Sequence, residues 1–140
     1  MPDRIITQDQ LDQLFTAALE AAIGRIEKDG HFHPLVFELR DNGAIQNVAV
    51  LETGPIDGHR DVIDRLFDIL RQRVATGLVQ GCAIALDHHE DAQIAVLLRA
   101  PNYSANISVP YTQEGKGFLK LKRRLSLGEF VTREMPNELF

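Results

Sequence analysis

The chain carries one cysteine, Cys82, in 140 residues, which excludes a disulfide framework. That cysteine opens the apolar run Cys82-Ala83-Ile84-Ala85-Leu86, where a free thiol behaves as a small hydrophobe. No stretch approaches the ~18 consecutive apolar residues that mark a membrane-spanning helix. The opening Met1-Pro2-Asp3-Arg4-Ile5-Ile6 lacks the apolar core of a secretory leader. The expectation is a soluble cytoplasmic protein with no membrane association. Gly/Ser-rich and Pro-rich linkers, internal repeats and low-complexity tracts are missing too, so residues 1–140 are expected to form a single domain.

Positive charge is in short supply. Lys and Arg total 15 against 20 Asp and Glu, a net charge of -5, and phosphate neutralisation needs clustered cations, so nucleic acid is not expected as a partner. One local exception is the group Lys116, Lys120, Lys122, Arg123 and Arg124. Its alternation over 118–122 suits a solvated edge strand whose lysines oppose edge-to-edge aggregation. Weak contact with RNA or an acidic partner is the alternative.

What remains is an ordinary globular composition, 44% hydrophobic and 25% charged, at a length where folding buries roughly two-thirds of the chain's surface. Thr7 with Gln10 three residues later forms a capping-box pattern, and Leu11, Leu14, Phe15, Ala18, Ala22 and Ile26 recur at helical spacing up to Gly30. This predicts a helix over 8–29. Two apolar runs at 35–39 and 44–51 flank Asp41-Asn42-Gly43, whose Asn-Gly supplies the positive φ angles of a tight hairpin. Gly54, Pro55 and Gly58 then break the pattern. A second amphipathic helix follows, capped by Asp57, marked by Val62, Ile63, Leu66, Phe67, Ile69, Leu70 and Val74, and stopped at Gly77. Strands are predicted at 79–86, 92–100 and 105–109, with further strands at 118–122 and 129–132.

The order α-β-β-α-β-β-β, with hairpin-linked strands and only two long helices, predicts an α+β fold built on a mostly antiparallel sheet of five to six strands. That order resembles the profilin-like architecture of roadblock-type and longin-type proteins. The resemblance implies a dimerising regulatory module. Gly128 and Pro136 interrupt the tail, so the carboxyl-terminal helix usual in roadblock-type domains is not expected.

Five local patterns carry candidate chemistry. His31-Phe32-His33-Pro34 places two histidines on one side of an extended segment. It resembles part of the His-x-His-Pro signature of JAMM-type metalloproteases, in which two histidines and a later aspartate hold zinc and an upstream glutamate is the base. Here the following aspartate is Asp41, nearer than that family's, and Glu20 and Glu27 are the upstream acids. A polar helix-to-strand connection accounts for the same residues. His88-His89-Glu90-Asp91 has metal-ligand types, yet neighbours on a turn diverge, and a polar hairpin tip explains them equally. Gly54 to His59 and Arg60 lead into the second helix, whose amino end attracts anions, although Asp57, Asp61 and Asp64 crowd it and no P-loop lysine follows. The break containing Arg99, Asn102, Tyr103 and Ser104 offers ligand contacts or simply turns the chain. The fifth is the basic run already described. No Gly-x-Ser-x-Gly elbow presents a nucleophile.

No set converges from sequence alone, so no catalytic, cofactor-binding or metal residue is assigned and no cofactor is expected. The leading expectation is a non-enzymatic binding or regulatory module acting as a homodimer. The alternatives are a small metal-dependent hydrolase using His31 and His33, with His88, His89 or Asp91, and a weak RNA or acidic-partner contact through the basic segment.

Overall fold

Thr7 is the amino-terminal cap of the first helix, α1 (Gln8–Asp29), and its side chain accepts the Gln10 backbone N–H while the Gln10 side chain returns the bond. Gly30, at φ +88°, closes the other end by donating to Ile26 O. Leu11, Leu14, Ala18, Leu19, Ala22 and Ile26 form the buried stripe that the spacing predicts. The structure, a computed structural model, describes residues 6–48, 62–114, 124–137 and 139–140. The predicted cap Asp57, the segment from Gly54 to Arg60 and the basic residues Lys116, Lys120, Lys122 and Arg123 lie outside the described residues.

After α1 come β1 (Leu35–Arg40), β2 (Ile45–Val48), α2 (Val62–Val74), β3 (Val79–His88), a 3₁₀ turn (His89–Asp91), β4 (Gln93–Ala100), β5 (Tyr103–Glu114), β6 (Arg124–Leu127) and β7 (Val131–Glu134). All pairings are antiparallel, in the order β2-β1-β3-β4-β5-β6, with β7 also on β5. The α+β class and the expected order α-β-β-α-β-β-β are observed, with two more strands after them. Seven strands replace the expected five to six because the tail contributes two. Both pair with β5, and between them three steps along β5, Ser108 to Tyr111, face four steps from Leu127 to Val131. The tail is therefore one edge position broken by a β-bulge, where Gly128 N–H donates to Pro110 O at 2.8 Å.

The β1–β2 hairpin differs in detail from the predicted tight turn. Only Gly43 has positive φ, at +88°, while Gly43 N–H bonds to Arg40 O and Ala44 N–H to Asn42 Oδ1. This is a three-residue loop with the glycine at its left-handed position, so Asn42 contributes a side-chain acceptor instead of a positive φ.

Alternation sends β-strand side chains to two separate cores. Leu35, Phe37, Leu39, Ala83, Val96 and Leu98 pack on α1, while Val36, Cys82, Ile84, Leu86 and Leu97 face Leu66, Phe67 and Leu70 of α2 together with Leu139. The result is three layers, α1, sheet and α2. At Gly81 a Cβ would come within 3.1 Å of Ile6 Cδ1 and 3.3 Å of Leu14 Cδ2, so the missing side chain lets α1 settle onto β3. No described helix is long and apolar enough to cross a membrane.

Candidate functional site

Alternation decides which polar groups meet on the α2 face. The register aligns Glu38 of β1, Cys82 of β3, Arg99 of β4 and Ser104 of β5 in one row, then Ile84, Leu97, Asn106 and Arg133 in the next, then Leu86, Ala95, Ser108 and Val131. α2 covers the β1 and β3 end of these rows. The β4, β5 and β7 end stays open as a cleft of about 400 Å³ between Phe67 of α2 and β7.

The covered end holds ions. Glu38 is fully buried and its carboxylate accepts from Arg73 Nε and, at 2.9 Å, from Arg73 Nη2. Arg40 Nε stands 3.1 Å from Glu38 Oε1 as an ion pair without hydrogen-bond alignment. The bond to Glu38 raises the Arg73 pKa above its ordinary value, against the opposing pull of burial. Burial pushes the Cys82 thiol up from 9.0 to about 12, with the Glu38 charge adding and Arg73 subtracting. Cys82 is thus an inert, protonated core residue.

Arg99 closes the inner end of the cleft. It is 1% exposed, its Nη1 donates to Leu98 O and Ala105 O at 3.0 Å each, and its guanidinium carbon lies 5.7 Å from the Phe67 ring centre. Ala95, Leu97, Asn106 and Ser108 make the floor, and exposed His88 and Arg133 stand at its border. The Asn106 Oδ1 is buried with no hydrogen-bond donor in reach. Among the described residues cationic side chains line this cleft and no carboxylate does, on a chain of net charge -5.

The candidates from sequence separate in space. His31 and His33 are exposed with ring centres 6.2 Å apart, but Asp41 lies beyond the whole of β1, about 20 Å away at ~3.3 Å per residue. Glu27 is occupied by the Leu125 N–H, and Glu20 is an exposed residue of α1. The Phe32 N–H donates to Asp87 Oδ2, which ties the histidine segment to the end of β3 next to His88. Even so, the described residues contain no group of three His, Cys, Asp or Glu side chains able to hold a metal ion. His89 begins the 3₁₀ turn.

The 99–104 segment is shorter as a loop than expected, since Ala100 pairs with Tyr103 and only Pro101 and Asn102 turn the chain. Asn102 Nδ2 holds Ile6 O, Ser104 Oγ donates to Pro136 O, and Tyr103 packs against the α1 core. Arg99 alone of that set lines the cleft. His88, singled out with the turn, stands at its border, while Asn106, Ser108 and Arg133 were not singled out from sequence. Their signal was the alternation Ser104, Asn106, Ser108 against Ala105, Ile107, Val109 along β5, which reads as a solvent face until the register places it beside Leu97 and Phe67.

Compared with protein-family models, with curated proteins and with solved structures, the chain matches none.

Proposed function

We propose that this chain is a non-enzymatic binding module that pairs with a second copy through the β6 and β7 edge. The observation that carries this reading is the set of exposed apolar residues Leu127, Phe130 and Val131, 40, 44 and 57% exposed, along the outermost strand position. Among the described residues no strand lies outside it. An edge strand that no described strand flanks, with exposed apolar side chains on both faces, Leu127 and Phe130 on the α1 side and Val131 on the α2 side, is a template for strand addition. The bulge limits each paired stretch to four residues, so side-chain burial has to supply much of the contact. Phe130 is braced for this by Phe15 of α1, at a ring-centre distance of 5.8 Å. The same reading places the protein in the cytoplasm, where the Cys82 thiol stays reduced.

Light scattering on purified protein at tens of micromolar tests it. The expected mass is twice the chain's 15.7 kDa, falling to one chain in the Leu127→Lys/Val131→Lys variant. Leu78→Lys, a change at an exposed apolar residue away from this edge, should leave the dimer intact. A monomeric wild type, or an edge variant that still dimerises, refutes the proposal.

A further inference from the structure

We propose that the open cleft beside α2 binds a small carboxylate with an apolar body and a hydrogen-bond donor next to its acid group, the chemistry of an N-acyl amino acid. Three features of the cleft converge on that class. Its volume of about 400 Å³ falls in the range of small-molecule sites, typically ~300–1,000 Å³. Phe67, Leu97, Val131 and Met135 give it apolar walls for the body of such a ligand. Arg133, exposed at the border of a cleft with no carboxylate among its described lining residues, supplies a cation that pairs with an acid by charge-assisted bonds.

The neighbour of Arg133 fixes the donor. Asn106 is the direct cross-strand partner of Arg133, so the two side chains stand side by side on the same face. Its Oδ1 is buried and has no donor, a cost that native proteins rarely leave unmet. A ligand serving both residues carries its donor close to its carboxylate, because the strand spacing puts their Cβ atoms only ~5 Å apart. An amide N–H next to a carboxylate meets that condition. Arg99, held by two backbone carbonyls and the Phe67 ring, acts as a rigid end wall.

N-acetyl-phenylalanine is the probe, with its amide as the form lacking the acid and 4-phenylbutyrate as the form lacking the donor. Titration followed by amide chemical shifts should show saturable binding, with the shifts concentrated at Asn106, Ser108 and Arg133. Arg133→Gln should weaken the two acids about five- to tenfold and leave the amide unchanged. Asn106→Leu should weaken N-acetyl-phenylalanine about threefold or more and spare 4-phenylbutyrate. Ser108→Phe, with its fold checked by circular dichroism, should abolish binding by filling the floor. Absence of saturable binding below about 10 mM overturns the proposal, as do shifts mapping elsewhere or equal losses for all three probes in Arg133→Gln. Failure here is separable from failure of self-association, because the probe's binding is read independently of particle mass.

Discussion

Replacing Arg73 by Met removes the main counter-charge of a carboxylate that has no access to water. Glu38 is 0% exposed on its side chain, Arg73 39% and Arg40 25%. Breaking a buried pair by deleting one partner costs about 3–5 kcal/mol when the survivor is left uncompensated. Two features reduce that figure here: Arg73 is more than a third exposed, so solvent already screens the pair, and Arg40 remains 3.1 Å from Oε1. The expected loss is about 2–3 kcal/mol, or roughly 5–10 °C in Tm for a chain of this size. That is a large share of the ~5–15 kcal/mol that holds an ordinary domain together.

Urea denaturation of wild type, Arg73→Met, Glu38→Leu and the double variant measures the coupling directly. The double variant should recover most of the loss, since it replaces an ion pair by apolar groups and leaves no buried charge unpaired. The pair also fastens the carboxyl end of α2 to β1, above Cys82. Thiol labelling by Ellman's reagent should therefore accelerate in Arg73→Met beyond what its global stability explains, through local opening of α2. An Arg73→Met cost below about 0.5 kcal/mol, or strict additivity in the cycle, would refute the reasoning.

Three further outcomes are expected. Because folding raises the Cys82 thiol from 9.0 to about 12, its neutral form stabilises the fold fully below pH 9, and that contribution is lost as pH rises toward about 12. Tyr111, raised first by burial and then by the Asp87 charge, adds loss in the same direction, so the Cys82→Ala variant should keep a shallower alkaline decline in chemical-denaturation stability than wild type. Gly81→Val should cost about 1–3 kcal/mol by driving side-chain atoms into Ile6 and Leu14, read as a lower urea midpoint; a neutral effect would mean that α1 has room to lift. Ala92, at φ +53°, holds a left-handed position without being glycine, so Ala92→Gly should raise thermal stability by up to about 1 kcal/mol, and a lower Tm would count against the strain.

Local chemistry made α1 legible in full, since Thr7, Gln10 and Gly30 mark its ends and the stripe between them has one period. The strands were harder for a physical reason. β1 and β4 are buried on both faces, so their sequences lose the alternation that identifies a half-exposed strand. β5 was predicted over 105–109 but spans Tyr103–Glu114, because Pro110 reads as a strand breaker. It is tolerated where the edge bulges: its carbonyl accepts from Gly128, and a Cβ on Gly128 would meet its ring at 3.1 Å. A compensation between residues 18 positions apart leaves no local trace. The strand expected over 35–39 already stood between His33 and Asp41, and β1 keeps them apart, so the polar connection accounts for the histidines without a metal.

Unequal helices explain why the candidate site lies on the α2 face and not on the other. α1 runs 22 residues, about 33 Å at 1.5 Å per residue, and its stripe meets β1, β3 and β4 while Phe15 and Glu27 reach the tail at Phe130 and Leu125. α2, described over 13 residues, is about 20 Å long and pinned at the β1 end by Glu38 and Arg73. A short helix fixed at one side of a sheet six positions wide leaves the far side without a covering helix among the described residues. Were that strip only an accident of length, ordinary solvent-facing composition would suffice. Instead it combines Leu97 at 5% exposure, a buried and carbonyl-bound Arg99 and an unmet Asn106 acceptor. The unmet Asn106 acceptor costs stability unless a donor reaches it.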